Sequence, residues 1–274
     1  MPPADWKELL ADSPHIFKSR PENLQTLAAP MTSALGERRQ RPTLYPSPSP
    51  NWIPPMSKLG EYAVFLREAR KTFRTTGAIL PSSKFLANKA VSILRDLPPN
   101  ARILEAGPGT GAVTEYIFPK LRPGDRLTLV EIHEGFANEL RRRFDTDPKW
   151  IPHKKQAEVV HAGVQDLPKD EKFHAIVCGI PFNSMSPDLA DDVFGSLFKL
   201  LLPGAQLSNF EYIGIRRVSV PFVKPAERQR MKQVAKVVRK YVDKYGVKDH
   251  RIAFNIPPAV VHHYRVPAEA NGHA

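Results

Sequence analysis

The sequence predicts an α/β fold, a doubly wound and mostly parallel sheet with helices on both faces. Three observations predict it. Short apolar runs alternate with helical stretches across residues 82–215. One of these runs, Ile103-Leu104-Glu105-Ala106, leads straight into Gly107-Pro108-Gly109-Thr110-Gly111 and on into a helical stretch. A second run ends in an acidic residue, Glu131, roughly twenty positions further on.

Taken in order, Ser82 or Ser83 caps a helix running to about Arg95, and Pro98-Pro99-Asn100 turns the chain. Strands are expected at Arg102–Ala106, Leu127–Glu131, Val159–His161 and Ala175–Gly179, each a short apolar run. Helical stretches lie between them at Gly111–Leu121, Gly135–Phe144 and Asp188–Leu202. Crossover connections of this kind make successive strands parallel. Leu201-Leu202-Pro203-Gly204-Ala205 ends the last of these helices and turns into a strand at Gln206–Tyr212. Beyond it, Pro225 suits the first position of a helix and Gly246 its end. Between the two, Met231, Val234, Ala235, Val238, Tyr241, Val242 and Tyr245 form one apolar stripe.

The chain of 274 residues carries 40 Lys+Arg against 28 Asp+Glu, a formal net charge of +12. That excess calls for an anionic partner, either nucleic acid or a membrane surface. It is concentrated. Lys224–Arg251 holds ten basic and three acidic residues, and Lys58–Arg74 five basic and two acidic. In the second segment Leu59, Tyr62, Ala63, Leu66, Ala69 and Phe73 recur at helical spacing. Such a helix either faces the core with a solvated basic side, or lies in a membrane interface with Arg67, Arg70, Lys71 and Arg74 on anionic lipid.

Residues 1–55 hold eleven prolines and nearly balanced charge, the composition of a mostly disordered arm. One domain is expected over 56–267, with a basic amphipathic helix at 56–76 and an inserted basic helix at 224–250, followed by a tail at 268–274. A single Cys excludes a disulfide framework and a Cys-based zinc cage. His262-His263 lack a third ligand at metal spacing, so no metal is expected. The first thirty residues lack the apolar stretch of a secretory signal, and no run approaches a membrane span. The expectation is a soluble protein of a reducing compartment.

The glycines point to a small-molecule site. They permit positive φ and a close approach of ligand to backbone, and the following helix start offers free N–H groups to an anion. No Lys-Ser/Thr pair follows them, so this is not a triphosphate-binding loop. Glu105 would repel a pyrophosphate but accept from an ammonium group, and an acid at Glu131 suits a ribose diol. A ligand with a ribose, a carboxylate and an amino group fits: S-adenosylmethionine.

Here the chain resembles the class I S-adenosylmethionine-dependent methyltransferases. Glu105-Ala106-Gly107-Pro108-Gly109-Thr110-Gly111 matches the first motif, Leu129-Val130-Glu131 the acidic end of the second strand, and Pro203-Gly204 the turn before a late strand. The resemblance implies a seven-stranded Rossmann-like sheet with one antiparallel strand near the edge. It places Ser82, Ile132, Gly163, Val164 and Cys178 at the cofactor with the glycine loop. The third strand of that family usually ends in an Asp that meets the adenine amine. Gly163 stands in that position, and Asp166 is the nearest substitute.

Three features are more specific. Thr76-Gly-Ala-Ile-Leu-Pro-Ser-Ser83, Gly179-Ile180-Pro181 and Asn255-Ile-Pro-Pro-Ala-Val-Val-His-His-Tyr264 are similar to the bacterial phospholipid N-methyltransferases. That likeness implies methylation of phosphatidylethanolamine towards phosphatidylcholine by a cytoplasmic enzyme bound peripherally to the inner face of the membrane. It implies that Gly179, Ile180 and Pro181 lie at the acceptor; Tyr212, after a predicted strand, either meets a phosphate or the amine there or packs as a core tyrosine. It also selects the interfacial reading of Arg67, Arg70, Lys71 and Arg74. Ornithine-lipid N-methyltransferases look similar. The rRNA adenine dimethyltransferases share the glycine loop and the Ile-Pro-aromatic run, but carry an amide or acid where this chain has Gly179. A degenerate adaptor without activity is the non-enzymatic alternative.

Overall fold

The computed structural model of the chain describes residues 81–212, 225–253 and 258–268. The proline-rich arm and the basic helix expected at 56–76 with Arg67, Arg70, Lys71 and Arg74 lie outside the described residues. Ser82 lies at the start of the first helix, and its side chain is outside them as well.

Seven strands form one sheet: β1 Arg102–Ala106, β2 Arg126–Glu131, β3 Ala157–His161, β4 Phe173–Cys178, β5 Leu201–Tyr212, β6 Gly246–Ile252 and β7 Ala259–Arg265. Their order across the sheet is β3-β2-β1-β4-β5-β7-β6. β1 lies at the centre, parallel to β2 and β4, and β7 runs antiparallel to both β5 and β6. The central strands read as continuous apolar runs because both faces are covered. Five described helices are α1 Pro81–Ala90, α2 Thr114–Ile117, α3 Glu134–Thr146, α4 Pro187–Lys199 and α5 Pro225–Tyr245.

Alternation along the strands sorts the core into two layers. Leu104, Ala106, Ile176, Cys178, Leu207 and Tyr264 pack towards α4 and α5. Ile103, Leu127, Leu129, Val177 and Val261 pack with α1, α3 and Trp150 on the other side. Ser186 caps α4 by accepting from the Leu189 N–H, and Pro187 takes the next position.

The structure corrects several boundaries. The helix expected over Gly111–Leu121 is the four-residue α2 followed by a 3₁₀ turn, Phe118–Lys120. Gly111 at φ +82° delays its start, and Pro119 has no N–H to continue it. The helix expected to reach Leu202 stops at Lys199, because Leu201 already pairs with Phe173 as the start of β5. The strand expected to end at Gly179 ends at Cys178.

The largest correction concerns the inserted basic helix at 224–250. It ends at Tyr245, and Gly246–Ile252 is the edge strand β6. Its residues, Gly-Val-Lys-Asp-His-Arg-Ile, are mostly exposed, and charge on an edge strand blocks pairing with another chain. A polar edge of this kind carries no apolar signal. Nor is the stripe on α5 available to a membrane. Val234, Val238 and Tyr241 are buried against α4, at about 1.5–3 kcal/mol for each side chain. A ladder of rings holds the pair: Phe194 stacks on Tyr241 at 4.9 Å, and Phe198 on Tyr241 and Tyr245 at 5.2 and 4.3 Å. Lys240 Nζ reaches Asp191 at 2.8 Å beside them.

Candidate cofactor and acceptor site

The loop after β1 holds Gly107, Gly109 and Gly111 at φ +70°, +58° and +82°. At Gly111 the need is steric as well as conformational. A Cβ there would meet the Trp150 ring at 2.3 Å. Trp150 is fully buried, edge-on to Phe118 and Phe144, with the Arg143 guanidinium 4.2 Å from its ring centre. Arg143 also donates to the Thr110 carbonyl at 3.0 Å and to Glu115 and Asp147 at 2.6 and 2.8 Å. Trp150 and Arg143 therefore set the floor and one wall of the loop. Sequence reasoning missed both, since they lie some forty and thirty positions away with no local signal. The short α2 adds little macrodipole, so an anion at this loop would be met by individual loop N–H groups.

Two buried acids stand behind the loop. Glu131 is 5% exposed. Its Oε2 accepts from the Gly109 N–H at 2.9 Å and its Oε1 from the His133 N–H at 2.8 Å. Burial raises its pKa, against the lowering effect of those two amides. Each oxygen retains a second lone pair, the requirement for holding a diol. Glu105 is 1% exposed and accepts from Thr114 Oγ at 2.7 Å. Burial pushes its carboxyl up to about 8; the Thr114 bond opposes this and neighbouring Glu131 adds to it. A carboxyl poised so high becomes a good partner for a cation only when that cation is present.

An apolar cavity opens beside the loop, lined by Gly107, Ile132, Gly163, Val164, Ile180 and Met185 among others. Gly163 is buried, and a Cβ added to it would lie 2.7 Å from Asp166 Oδ2. The carboxylate three residues on thus fills the space of the side chain that residue 163 lacks. Cys178 is fully buried in the core layer below α4, and burial pushes its thiol up to about 12. Its side chain is enclosed in the core, so that any contact with a ligand at this position falls to the backbone.

At the acceptor end the Gly179 N–H donates to the Ala106 carbonyl at 2.8 Å. A Cβ on Gly179 would meet the Gly107 carbonyl at 2.8 Å, so the cofactor loop itself leaves no room for a side chain there. Ile180 lines the cavity, and Pro181 precedes the 3₁₀ turn Phe182–Ser184. Arg230 of α5 clamps this turn, donating to the Asn183 carbonyl at 2.9 Å and to that of Met185. The structure separates Tyr212 from this group. Its ring packs with Phe210 in the layer of α1 and Trp150, whereas the cavity is lined by the α4 layer. On that side of β5 the alternation presents Glu211 instead.

Among the described residues no cluster of acids, His and Cys could hold a metal ion, and no helix is long and apolar enough to cross a membrane.

Comparison with known proteins bears on the fold and the cofactor. A family model described as a methyltransferase domain matches residues 103–204, from β1 into the start of β5. The ornithine lipid N-methyltransferase of Singulisphaera acidiphila is 29% identical over 157 residues, covering 54% of this chain and 77% of that one. The ribosomal RNA small subunit methyltransferase A of Parasynechococcus marenigrum is 33% identical over 111 residues, covering 40% of this chain and 35% of that enzyme. This chain thus matches about a third of the rRNA enzyme's length. Among solved structures, an O-methyltransferase from Bacillus cereus in complex with SAH superposes with a TM-score of 0.52 at 16% identity, covering 78% of this chain and 92% of that one. At that identity the superposition speaks for the fold. The strand order, the glycine loop on its buried acids and the matched residues lead to one conclusion: residues 103–204 carry a methyltransferase domain on a Rossmann-like sheet, and S-adenosylmethionine is its cofactor.

Proposed function

We propose that this chain transfers a methyl group to the amine of a membrane-lipid headgroup. The observation that carries the proposal is Gly179. Enzymes that methylate the exocyclic amine of a base set an amide or acid at this position to orient it, and here the backbone of the cofactor loop occupies that space. The acceptor end is left with Ile180 and Pro181 and no side chain at position 179, which suits an aliphatic amine at the end of a flexible headgroup. The similarity over 77% of the ornithine lipid enzyme supports this reading, and ranks ornithine lipid ahead of the phosphatidylethanolamine expected from sequence.

In this reading Gly107, Gly109 and Gly111 admit the cofactor to the backbone, Glu131 holds its ribose, Glu105 faces its amino group, and Val164 with Asp166 bounds its base. Bound there, S-adenosylmethionine supplies an electrophilic methyl group on a sulfonium. The acceptor must arrive as a free amine, in line with that methyl group. Ile180 and Pro181 exclude water from its path, and Arg230 keeps their turn in place. Arg67, Arg70, Lys71 and Arg74 would dock the enzyme on anionic lipid, at about 1 kcal/mol for each cation near the surface.

The test uses purified full-length protein and methyl-labelled S-adenosylmethionine. Ornithine lipid vesicles, phosphatidylethanolamine vesicles and rRNA are offered in turn. Label is expected in a lipid, with ornithine lipid the better acceptor. Label in rRNA and in neither lipid overturns the reading. Absence of transfer together with absence of cofactor binding by calorimetry points to an adaptor.

A further inference from the structure

A lipid ammonium has a pKa near that of lysine, about 10.4, so it must shed a proton before it can attack. None of the residues assigned above takes that proton. The sheet holds a group outside the glycine loop that fits the task. On the α4 side of β5, β7 and β6, His262 stands between two carboxylates. Its Nδ1 is 2.7 Å from Asp249 Oδ1, and its Nε2 is 3.5 Å from Glu211 Oε1.

The register fixes where these residues lie. His262 pairs with Asn209 on one side and with Asp249 on the other. Directly paired residues share a face, as do residues two apart on one strand, so Glu211, His262 and Asp249 form one row. Asn209 is also the partner of Cys178 on β4. Glu211, two positions on, is therefore level with Ile180, where the chain has passed into the turn that lines the cavity. Tyr264 donates to Asn209 Oδ1 at 2.8 Å and fills the core below.

The row has an inner and an outer end. The Glu211 and His262 side chains are 19% and 10% exposed, whereas that of Asp249 is 49% exposed. An imidazole is the one side chain that can take a proton on one nitrogen while releasing another from the opposite nitrogen. Here one nitrogen faces the more buried carboxylate, Glu211, and the other the more exposed one, Asp249. We propose that Glu211, His262 and Asp249 form the path by which the acceptor ammonium loses its proton to solvent.

The path rests on the lipid-amine reading. Glu211 is its catalytic end, and His262 and Asp249 are positioning and relay residues. An N–H bond of the ammonium breaks and an O–H bond forms on the Glu211 carboxylate. With the ring neutral and its proton on Nδ1, that O–H then breaks as Nε2–H forms while Nδ1 passes its proton through Asp249 to water, and exchange with water returns the ring proton from Nε2 to Nδ1 before the next transfer. The amine keeps the electron pair with which it attacks, and the carboxylate is regenerated.

Burial works against a charged imidazole, but Glu211 and Asp249 outweigh it and hold the His262 pKa above its ordinary value. The groups facing it are Glu211 from β5, Asp249 from β6 and the Tyr264 ring 6.3 Å away on its own strand, with Arg251 in the next row. Over them α5 presents Val234, Val238 and Tyr241 and leaves Lys232, Lys236 and Arg239 exposed.

The test compares full-length wild type with Glu211→Gln, His262→Gln, His262→Ala and Asp249→Asn on the lipid that wild type labels. At pH 7 Glu211→Gln and His262→Gln are expected to lose about 100-fold in kcat/KM. The deficit should shrink as pH rises towards about 10, where the acceptor deprotonates in solution. Added imidazole should restore His262→Ala in part, and cofactor affinity by calorimetry should stay within about twofold of wild type. Asp249→Asn, at the more exposed end, keeps the test open if His262→Ala fails to fold. It should lower the rate less and with the same pH trend. A loss that is equal at every pH and untouched by imidazole overturns the path while leaving lipid methylation standing. Label in rRNA and in neither lipid overturns both.

Discussion

At Gly111 one added methyl group would strike the Trp150 ring at 2.3 Å in a backbone at φ +82°, and at Gly179 it would strike the Gly107 carbonyl. These contacts turn two glycines, one in the cofactor loop and one after β4, into statements about this chain. The first locks the loop over its floor. The second removes the side chain with which a base-methylating enzyme would hold its acceptor. Glu105 carries a consequence for stability. Its folded pKa is about 8, while the unfolded carboxyl stays near 4.5. The folded state therefore binds more protons across that window, and stability falls as pH rises through it. Urea melts between pH 5 and 9 should show this decline, and Glu105→Gln should flatten it. An equal slope in wild type and variant would mean that Glu105 ionises normally in the fold.

At the scale of elements, α5 shows how a sequence pattern is assigned to the wrong solvent. Its apolar stripe beside ten cations suits a membrane interface as well as a core, and α4 took the stripe. Tyr241 is buried between Phe194 and Phe198 and donates to the Asp191 carbonyl at 3.2 Å. Tyr241→Ala should cost about 3–5 kcal/mol in chemical denaturation, whereas Lys232→Glu with Lys236→Glu should change stability by less than about 0.5 kcal/mol. A Tyr241→Ala protein as stable as wild type would mean that α5 is only loosely docked. β6 was invisible for the opposite reason. Five of its seven residues are exposed, and alternation fades where both faces meet water.

For the whole molecule, the packing of α5 narrows the membrane expectation to residues 56–76. Charge reversal of Arg67, Arg70, Lys71 and Arg74 should reduce co-sedimentation with anionic vesicles by at least about tenfold. Reversal of Lys232 and Lys236 should reduce it by less. Equal losses would return docking to the charge of the molecule as a whole.

The sequence by itself determined the strands β1 to β4, the glycine loop, Glu131 behind it, the parallel sheet and the cofactor. All of these are local, since an apolar run, a turn residue and a strand end each carry their signal within a few positions. Only the tertiary structure decided the rest. It placed Trp150 and Arg143 under the loop, put Asp166 into the space left by Gly163, and assigned the stripe of α5 to the core. It turned Tyr212 away from the cavity and set Glu211, His262 and Asp249 in one row. Each of these depends on which strand lies beside which, and residues fifty positions apart meet through strand pairing that no short stretch of sequence records.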